Sequence, residues 1–478
     1  MTVQVDGAGG PGGVGVLERL FKVHERGSTY VREVRGGLAT FFTMAYILVL
    51  NPIILGSDTA KDKFGHTLDH TQLVTSTAVV AGVMTLIMGI GGNLPLAIAA
   101  GLGLNGVVAY TLAPTMSWPD AMGLVVLEGL GICLLVVTGL RQRIMDAIPL
   151  AMKKAIGVGI GLFIAFIGLV DAGFVGKGAG TPVTLGAGGT LKGWPMFVFC
   201  VGLLLTLCLL VRRVPGGLLI SIVATTVLAI VVNKIATVPD AAWGTIAPKV
   251  PDGVVAHPDF GLLGKFSLFG GFGHAGVLTA VVFVFTLILA DFFDAMGTII
   301  GVSGEAGLLD DDGRLPGIGR VLFIDGLAAS AGGAGSASSN TCFVESAAGV
   351  GEGARTGLAN IVTGVLLFLA AFLTPVLTIV PSQAAAPALV AVGFLMMTQA
   401  KDIDWDDWEI AVPAFLTIAL MPFTYSITNG IGAGFILFCV LKVVLGKARD
   451  VNWLMWIVAA LFVVYFALDP IKQALGID

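Results

Sequence analysis

Apolar residues in this chain are gathered into long runs instead of alternating singly with polar ones. A helix crosses the hydrocarbon of a bilayer with about 20 apolar residues, and runs near that length fall at 36–56, 71–92, 120–139, 150–170, 195–211 and 216–234. A polar stretch containing Gly and Pro occupies 235–273. Further runs follow at 277–300, 317–333, 356–380, 384–399, 409–425, 429–446 and 451–468. The second half therefore repeats the plan of the first, and the pattern predicts an all-helical polytopic membrane protein.

Two segments are too short or too glycine-rich to be ordinary spans: 93–110, NLPLAIAAGLGLNGVVAY, and 334–351, AGSASSNTCFVESAAGVG. Each follows the second span of its half. Interrupted segments at corresponding places in two halves point to a transporter's binding site, where broken helices meet near the midplane. These two are expected to face each other. Every run plus both segments gives fifteen crossings, whereas two equal inverted halves need an even number. One of the last three runs is therefore expected to be broken or interfacial.

Lys and Arg set the orientation. With a cytoplasmic amino terminus, the inner flanks hold Lys22, Arg26, Arg32 and Arg35, then Arg141, Arg143, Lys153 and Lys154, then Arg212 and Arg213, as the positive-inside rule requires. The loop 57–70 and the 235–273 connection then fall outside. Residues 1–30 have no short apolar core followed by a cleavage site, so no removable signal peptide is expected.

Composition agrees with a membrane and removes several functions. Hydrophobic residues make up 56% of the 478 and charged residues only 12%, with a mean hydropathy of +0.95; soluble domains carry about 25% charge. Gly accounts for 67 residues, twice the usual share of roughly 7%, which predicts closely packed and broken helices. The net charge of −5 is spread over loops without a basic block, so nucleic acid is not an expected partner. Cys133, Cys200, Cys208, Cys342 and Cys439 lie in apolar runs without metal-ligand spacing and read as packing residues. No nucleophile stands beside a base, so the chain is not expected to be an enzyme, and neither a metal nor a cofactor is implied.

The candidate chemistry lies in acids within the spans, where a carboxylate costs several kcal/mol and usually faces a cavity or an ion pathway. Asp291 and Asp294, in ADFFDAMGT, are three apart on roughly one helix face. They repel each other, so a proton exchanged at this pair is expected. Glu345 lies in the second broken segment, and Asn105 occupies the equivalent place in the first. Asn is also a common residue at a helix end. For Asp325 and Glu128, capping a helix or bridging two backbones is an equally good reading. Asp310, Asp311 and Asp312 read as a solvated turn. The five histidines, His24, His66, His70, His257 and His274, fall in loops or at a span end. A carboxylate can accept two adjacent N–H donors and a carboxamide both donates and accepts, a combination that suits a nucleobase edge. No cation accompanies these groups, which argues against phosphorylated or carboxylate solutes.

The blocks GGLATFFTMAYILVLNP, GNLPLAIAAGLGLN, ADFFDAMGT, VESAAGVGEGARTGL and IDWDDWEIAVPAFLTIALMPFTYSITNGI occur in order over nearly the whole chain. Together they resemble the AzgA-like purine permeases of the nucleobase-cation symporter 2 superfamily. The resemblance implies about fourteen spans as a 7+7 inverted repeat with two broken central segments. It implies a cytoplasmic tail at 1–35, repeats at 36–234 and 274–468 joined by an outer connection at 235–273, a core domain (36–139 plus 274–380) and a gate domain (150–234 plus 384–468). It also implies proton-coupled uptake of hypoxanthine, guanine or adenine at a plasma or inner membrane. Asp291 and Glu345 would bind the purine, Asn105 would shape the site, and Asp294 or Glu345 would exchange the proton. Relatives often pair through their gate domains, so a homodimer is compatible. A sister-branch carrier of uracil or xanthine, or an anion carrier or channel on the same fold, is the alternative, and the paired acids argue against the anion reading. The chain departs from the family pattern at Ala295, Ala100, Val107, Val108 and the run GSASSNTCF at 335–343. These changes touch hydroxyls and aromatic surface and leave the acids in place.

Overall fold

The computed structural model describes residues 16–467 apart from 141–147, 179, 245, 252 and 311–314, and apart from the side chain of Phe293. Arg141, Arg143, Asp311 and Asp312 therefore lie outside the described residues. A short helix α1 (Val16–Phe21) precedes α2 (Tyr30–Met44), and α3 (Ile47–Leu55) continues α2 past a break at Ala45 and Tyr46. This first span begins before its apolar run because its opening turns are amphipathic. Thr29 caps it by accepting from Arg32 N (3.3 Å), Arg32 and Arg35 are exposed, and Glu33 is fully buried. Glu33 accepts from the backbone N–H groups of Arg355 (2.8 Å), Thr356 (3.3 Å) and Ala359 (3.3 Å), which the start of a helix in the other half would otherwise leave unpaired.

The rest of the first half comprises α4 (His70–Ile87), β1 (Ile98–Ala100), α5 (Leu102–Val107), α6 (Trp118–Val137), α7 (Leu150–Asp171), a small hairpin of β2 (Val175–Gly176) and β3 (Thr184–Leu185), α8 (Trp194–Val211) and α9 (Gly217–Ala236). After the connection come α10 (Gly270–His274), α11 (Val277–Glu305), α12 (Ile318–Ala334), β4 (Asn340–Cys342), α13 (Ser346–Gly351), α14 (Gly357–Leu369), α15 (Thr374–Leu377), α16 (Ser382–Met397), α17 (Trp408–Phe423), α18 (Ile427–Val444) and α19 (Trp453–Phe466). Packing repeats between the halves. Helix α14 lies on α4 as α12 lies on α6, and α17 lies on α7 as α8 lies on α16. The first-half elements α2 to α6 pack mainly with α11 to α14, and α7 to α9 mainly with α16 to α18. The result is a 7+7 arrangement of membrane spans. Helix α19, packed on α18 and α11, has no counterpart among the described residues of the first half. Its 14 residues reach about 21 Å, short of the roughly 30 Å of hydrocarbon. The last apolar run is thus the surplus fifteenth.

The two broken segments meet as expected, and they do so as strands. β1 and β4 run antiparallel, with Ile98 opposite Cys342, Ala99 opposite Thr341 and Ala100 opposite Asn340. Gly101 N donates to Ser339 O (2.9 Å), Phe343 N to Ala97 O (2.9 Å) and Ala97 N to the Ser346 hydroxyl (2.9 Å). Backbone at this depth persists only where every polar group is paired within protein. Close approach elsewhere uses glycine: a Cβ on Gly37 would stand 2.4 Å from Ala359 O.

Candidate functional site

Each strand runs straight into a short helix, β1 into α5 and β4 into α13, and a cavity of about 90 Å³ lies where these two junctions meet α11. Glu345 stands at the junction before α13. The Tyr46 hydroxyl, at the break between α2 and α3, donates to Glu345 Oε1, and the Thr43 hydroxyl donates to the Glu345 carbonyl (3.3 Å). Asp294 and Thr298 reach the same cavity from α11. Leu102, Leu104, Ile160, Phe343 and Val392 supply apolar wall, and the described lining contains no Lys or Arg.

The cavity continues into a vestibule of about 540 Å³ that keeps Asp294, Thr298 and Glu345 on its wall and extends to Lys153, Gln399 and Asp402. Lys153 lies at the start of α7 and Asp171 at its end, about 27 Å away along the axis. That far end is closed. Tyr110 packs edge-on against Tyr425 with ring centroids 5.1 Å apart, Phe163 and Phe166 flank Tyr425 at 5.4 and 5.9 Å, and Asp171 accepts from the Tyr110 and Thr59 hydroxyls at 3.4 Å each. The loop 57–70 and the 235–273 connection gather there too: Lys63 Nζ donates to the carbonyl of His274 at the end of α10 (3.4 Å), and Gln72 Nε2 at the start of α4 donates to Asp259 Oδ2 (3.2 Å). Access is open from one membrane face and sealed at the other.

The sequence candidates separate into two layers. Glu345 and Asp294 line the cavity; Asp291 and Asn105 do not. Asp291 is 0% exposed and faces Thr341, Asp325 and Glu128. Asn105 is 0% exposed, and its side-chain oxygen and nitrogen have no hydrogen-bond partner among the described residues. Tyr46 and Thr298 were not singled out by the sequence, and Cys342 reads there as a packing residue, yet all three border the cavity. For Tyr46 the only available signal was a polar-tipped aromatic inside the first apolar run. The departures from the family pattern lie mostly elsewhere: Ala295, Val107 and Val108 are fully buried in apolar clusters, Ala100 is in β1, and of 335–343 only Cys342 and Phe343 reach the cavity.

Two carboxylates and a phenol between apolar walls suit a small, flat solute with an N–H edge and no negative charge. No group of three His, Cys, Asp or Glu able to hold a metal ion occurs among the described residues.

Residues 32–466 match the model of a family described as the Permease family. The guanine/hypoxanthine permease PbuG of Bacillus subtilis (strain 168) is 37% identical, with 94% of this chain and 99% of that protein covered. The adenine permease AdeP of Escherichia coli (strain K12) is 36% identical, covering 94% and 96%. Among solved structures, the transmembrane domain of the cyanobacterial bicarbonate transporter BicA superposes with a TM-score of 0.57 at 14% identity, over 84% of this chain and 96% of that one. SLC26A9 gives 0.59 at 13% identity, over 90% and 67%. At such identities the structural likeness concerns the fold alone.

Proposed function

Since this chain belongs to the Permease family and to its nucleobase-cation symporter 2 group, we propose that it takes up purine nucleobases together with protons across the cell membrane. It is a transporter, not an enzyme. The observation that carries the purine reading is the cavity between the two strand–helix junctions, where Glu345, oriented by Tyr46, faces Asp294 across apolar walls. An ionised carboxylate accepts two neighbouring N–H groups, which a purine edge offers. Its ring system fills the apolar space beside Leu104, Ile160 and Phe343.

In this proposal Glu345 contacts the base directly and Asp294, exposed to the vestibule, exchanges a proton with the face to which the vestibule opens. Asp291 and Asn105 support the site from behind its lining. A proton on an acid that the solute also needs links the two: solute favours one charge state, and the open face resets the other. The vestibule side, with Lys153 and Lys154, is cytoplasmic by the positive-inside rule, and the amino terminus is on that side. A core of 36–139 plus 274–380 and a gate of 150–234 plus 384–468 move against each other around the cavity. What supports that division is the preferential packing within each group.

Uptake of radiolabelled hypoxanthine, guanine, adenine, xanthine and uracil by bacteria lacking their own purine carriers tests this. Purine uptake abolished by a protonophore is the expected result. Uptake of uracil or xanthine alone would move the cargo to a sister branch, and uptake indifferent to the protonophore would end the proton-coupled reading.

A further inference from the structure

Behind the paired strands lies a second set of acids that the cavity does not use. Glu128 on α6 and Asp325 on α12 are brought together by one of the closest helix contacts in the fold. The neighbouring Gly129 and Gly326 touch so tightly that a Cβ on Gly129 would stand 2.3 Å from Gly326 O. Asp291 closes the group from α11. Their exposures are 0%, 1% and 0% for Glu128, Asp325 and Asp291.

Among the described residues, the donors that reach this group come from β4 and the residue before it. Ser339 Oγ donates to Glu128 Oε1 (2.9 Å), while Cys342 N (3.0 Å) and Thr341 Oγ1 (3.3 Å) donate to Asp325 Oδ1. Glu128 Oε2 and both oxygens of Asp291 are buried without a partner among the described residues. No ion pair of the described residues involves any of the three. Glu128 faces Asp325 from α12 and Asp291 from α11, and those two acids in turn face Asp294 from α11 and Cys342 from β4. Cys133 on its own helix turns to Asp325. At the far start of α6, Asp120 is taken up by His274 of α10 (2.8 Å), and Tyr110 by Asp171. Three carboxyl groups in one dry pocket without a cation cannot all be ionised, because desolvation and mutual repulsion act together. Glu128 Oε2, buried and with no donor beside it among the described residues, is where a proton settles.

We propose that Glu128, with Asp325 and Asp291, forms a proton-holding site distinct from the solute-facing acids Asp294 and Glu345, and that its proton is exchanged once per transport cycle. The link to the cavity is β4: Ser339, just before the strand, and Cys342, its last residue, bind Glu128 and Asp325, and Phe343 and Glu345 on the cavity wall follow Cys342 by one and three residues. Loss of the proton changes the hold on β4 and so the placing of Glu345. Asp294, facing both Asp291 and Asp325, joins the two acid sets.

The proposal rests on the transport reading above, and its test separates the two. Full-length protein in liposomes is assayed for exchange of radiolabelled hypoxanthine at equal pH, and for its accumulation under a gradient of one pH unit. Glu128→Gln, whose amide oxygen still accepts from Ser339, is expected to exchange as the wild type does. It should accumulate about tenfold less, since each coupled proton multiplies accumulation about tenfold per pH unit. Unchanged accumulation overturns the proposal, and so does loss of exchange in a folded variant, which would make Glu128 part of solute handling. Should Glu128→Gln fail to fold, Ser339→Ala keeps the acid and removes its donor. A displaced pH profile of accumulation then supports the proposal and an unmoved profile overturns it. Wild-type protein unable to exchange hypoxanthine would sink the transport reading and this proposal with it.

Discussion

Replacing Glu345 by Gln tests the solute-facing layer with little change in shape. The amide keeps one acceptor oxygen for the Tyr46 hydroxyl, and the Thr43 contact goes to the Glu345 backbone carbonyl, so the local fold should hold. What is lost is the second acceptor and the negative charge that face the base. A hydrogen bond to a charged group contributes about 1.5–3 kcal/mol, so hypoxanthine affinity should fall roughly 10- to 150-fold. Tyr46→Phe keeps the carboxylate and removes only the group that orients it. Because this hydroxyl orients the carboxylate and does not itself touch the base, only part of that bond's about 1.5–3 kcal/mol should reach binding, and the loss of affinity should be smaller than that of Glu345→Gln. The assay is equilibrium binding of tritiated hypoxanthine to purified protein, with the melting temperature of each variant confirming that it is folded. A folded Glu345→Gln protein that binds within twofold of wild type would refute the reasoning, as would a Tyr46→Phe effect larger than that of Glu345→Gln.

Other consequences follow from the same geometry. Glu33→Ala strands three N–H groups now paired to that carboxylate; at about 1–3 kcal/mol for each buried unpaired group, a loss of roughly 3 kcal/mol or more should appear as a clear drop in melting temperature, with Glu33→Gln milder. Asp171→Ala removes two long hydrogen bonds at the sealed end. At about 0.5 kcal/mol each, it should shift the population roughly fivefold toward opening there, read as faster labelling of a cysteine placed at Leu104 by an impermeant maleimide added outside. A cysteine at Gln399, on the vestibule wall, should react with the same reagent from the cytoplasmic face only.

Much of this architecture was legible in the hydrophobic pattern, because span length and the glycine interruptions are set by the bilayer itself. The facing of the two broken segments was legible for the same reason. Their joining as strands was not, since a three-residue pairing leaves no periodicity to read. The start of the first span at Tyr30 was hidden because the buried face of its polar turns, Glu33 and Gly36, pairs with residues more than 300 positions away. Spacing placed Asp291 and Asp294 on one helix face but could not order them. Three residues leave about 60° between side chains, enough to turn Asp294 to the vestibule and Asp291 to Glu128 and Asp325. Glu128 and Asp325 looked like isolated acids because their meeting depends on two helices far apart in sequence coming into glycine contact.

The most direct test of the central claim is an experimental structure with hypoxanthine bound. The account predicts the base between the β1–α5 and β4–α13 junctions, with an N–H edge within hydrogen-bond distance of the Glu345 carboxylate. A base seated outside that cavity, or within it but out of reach of Glu345, would contradict it.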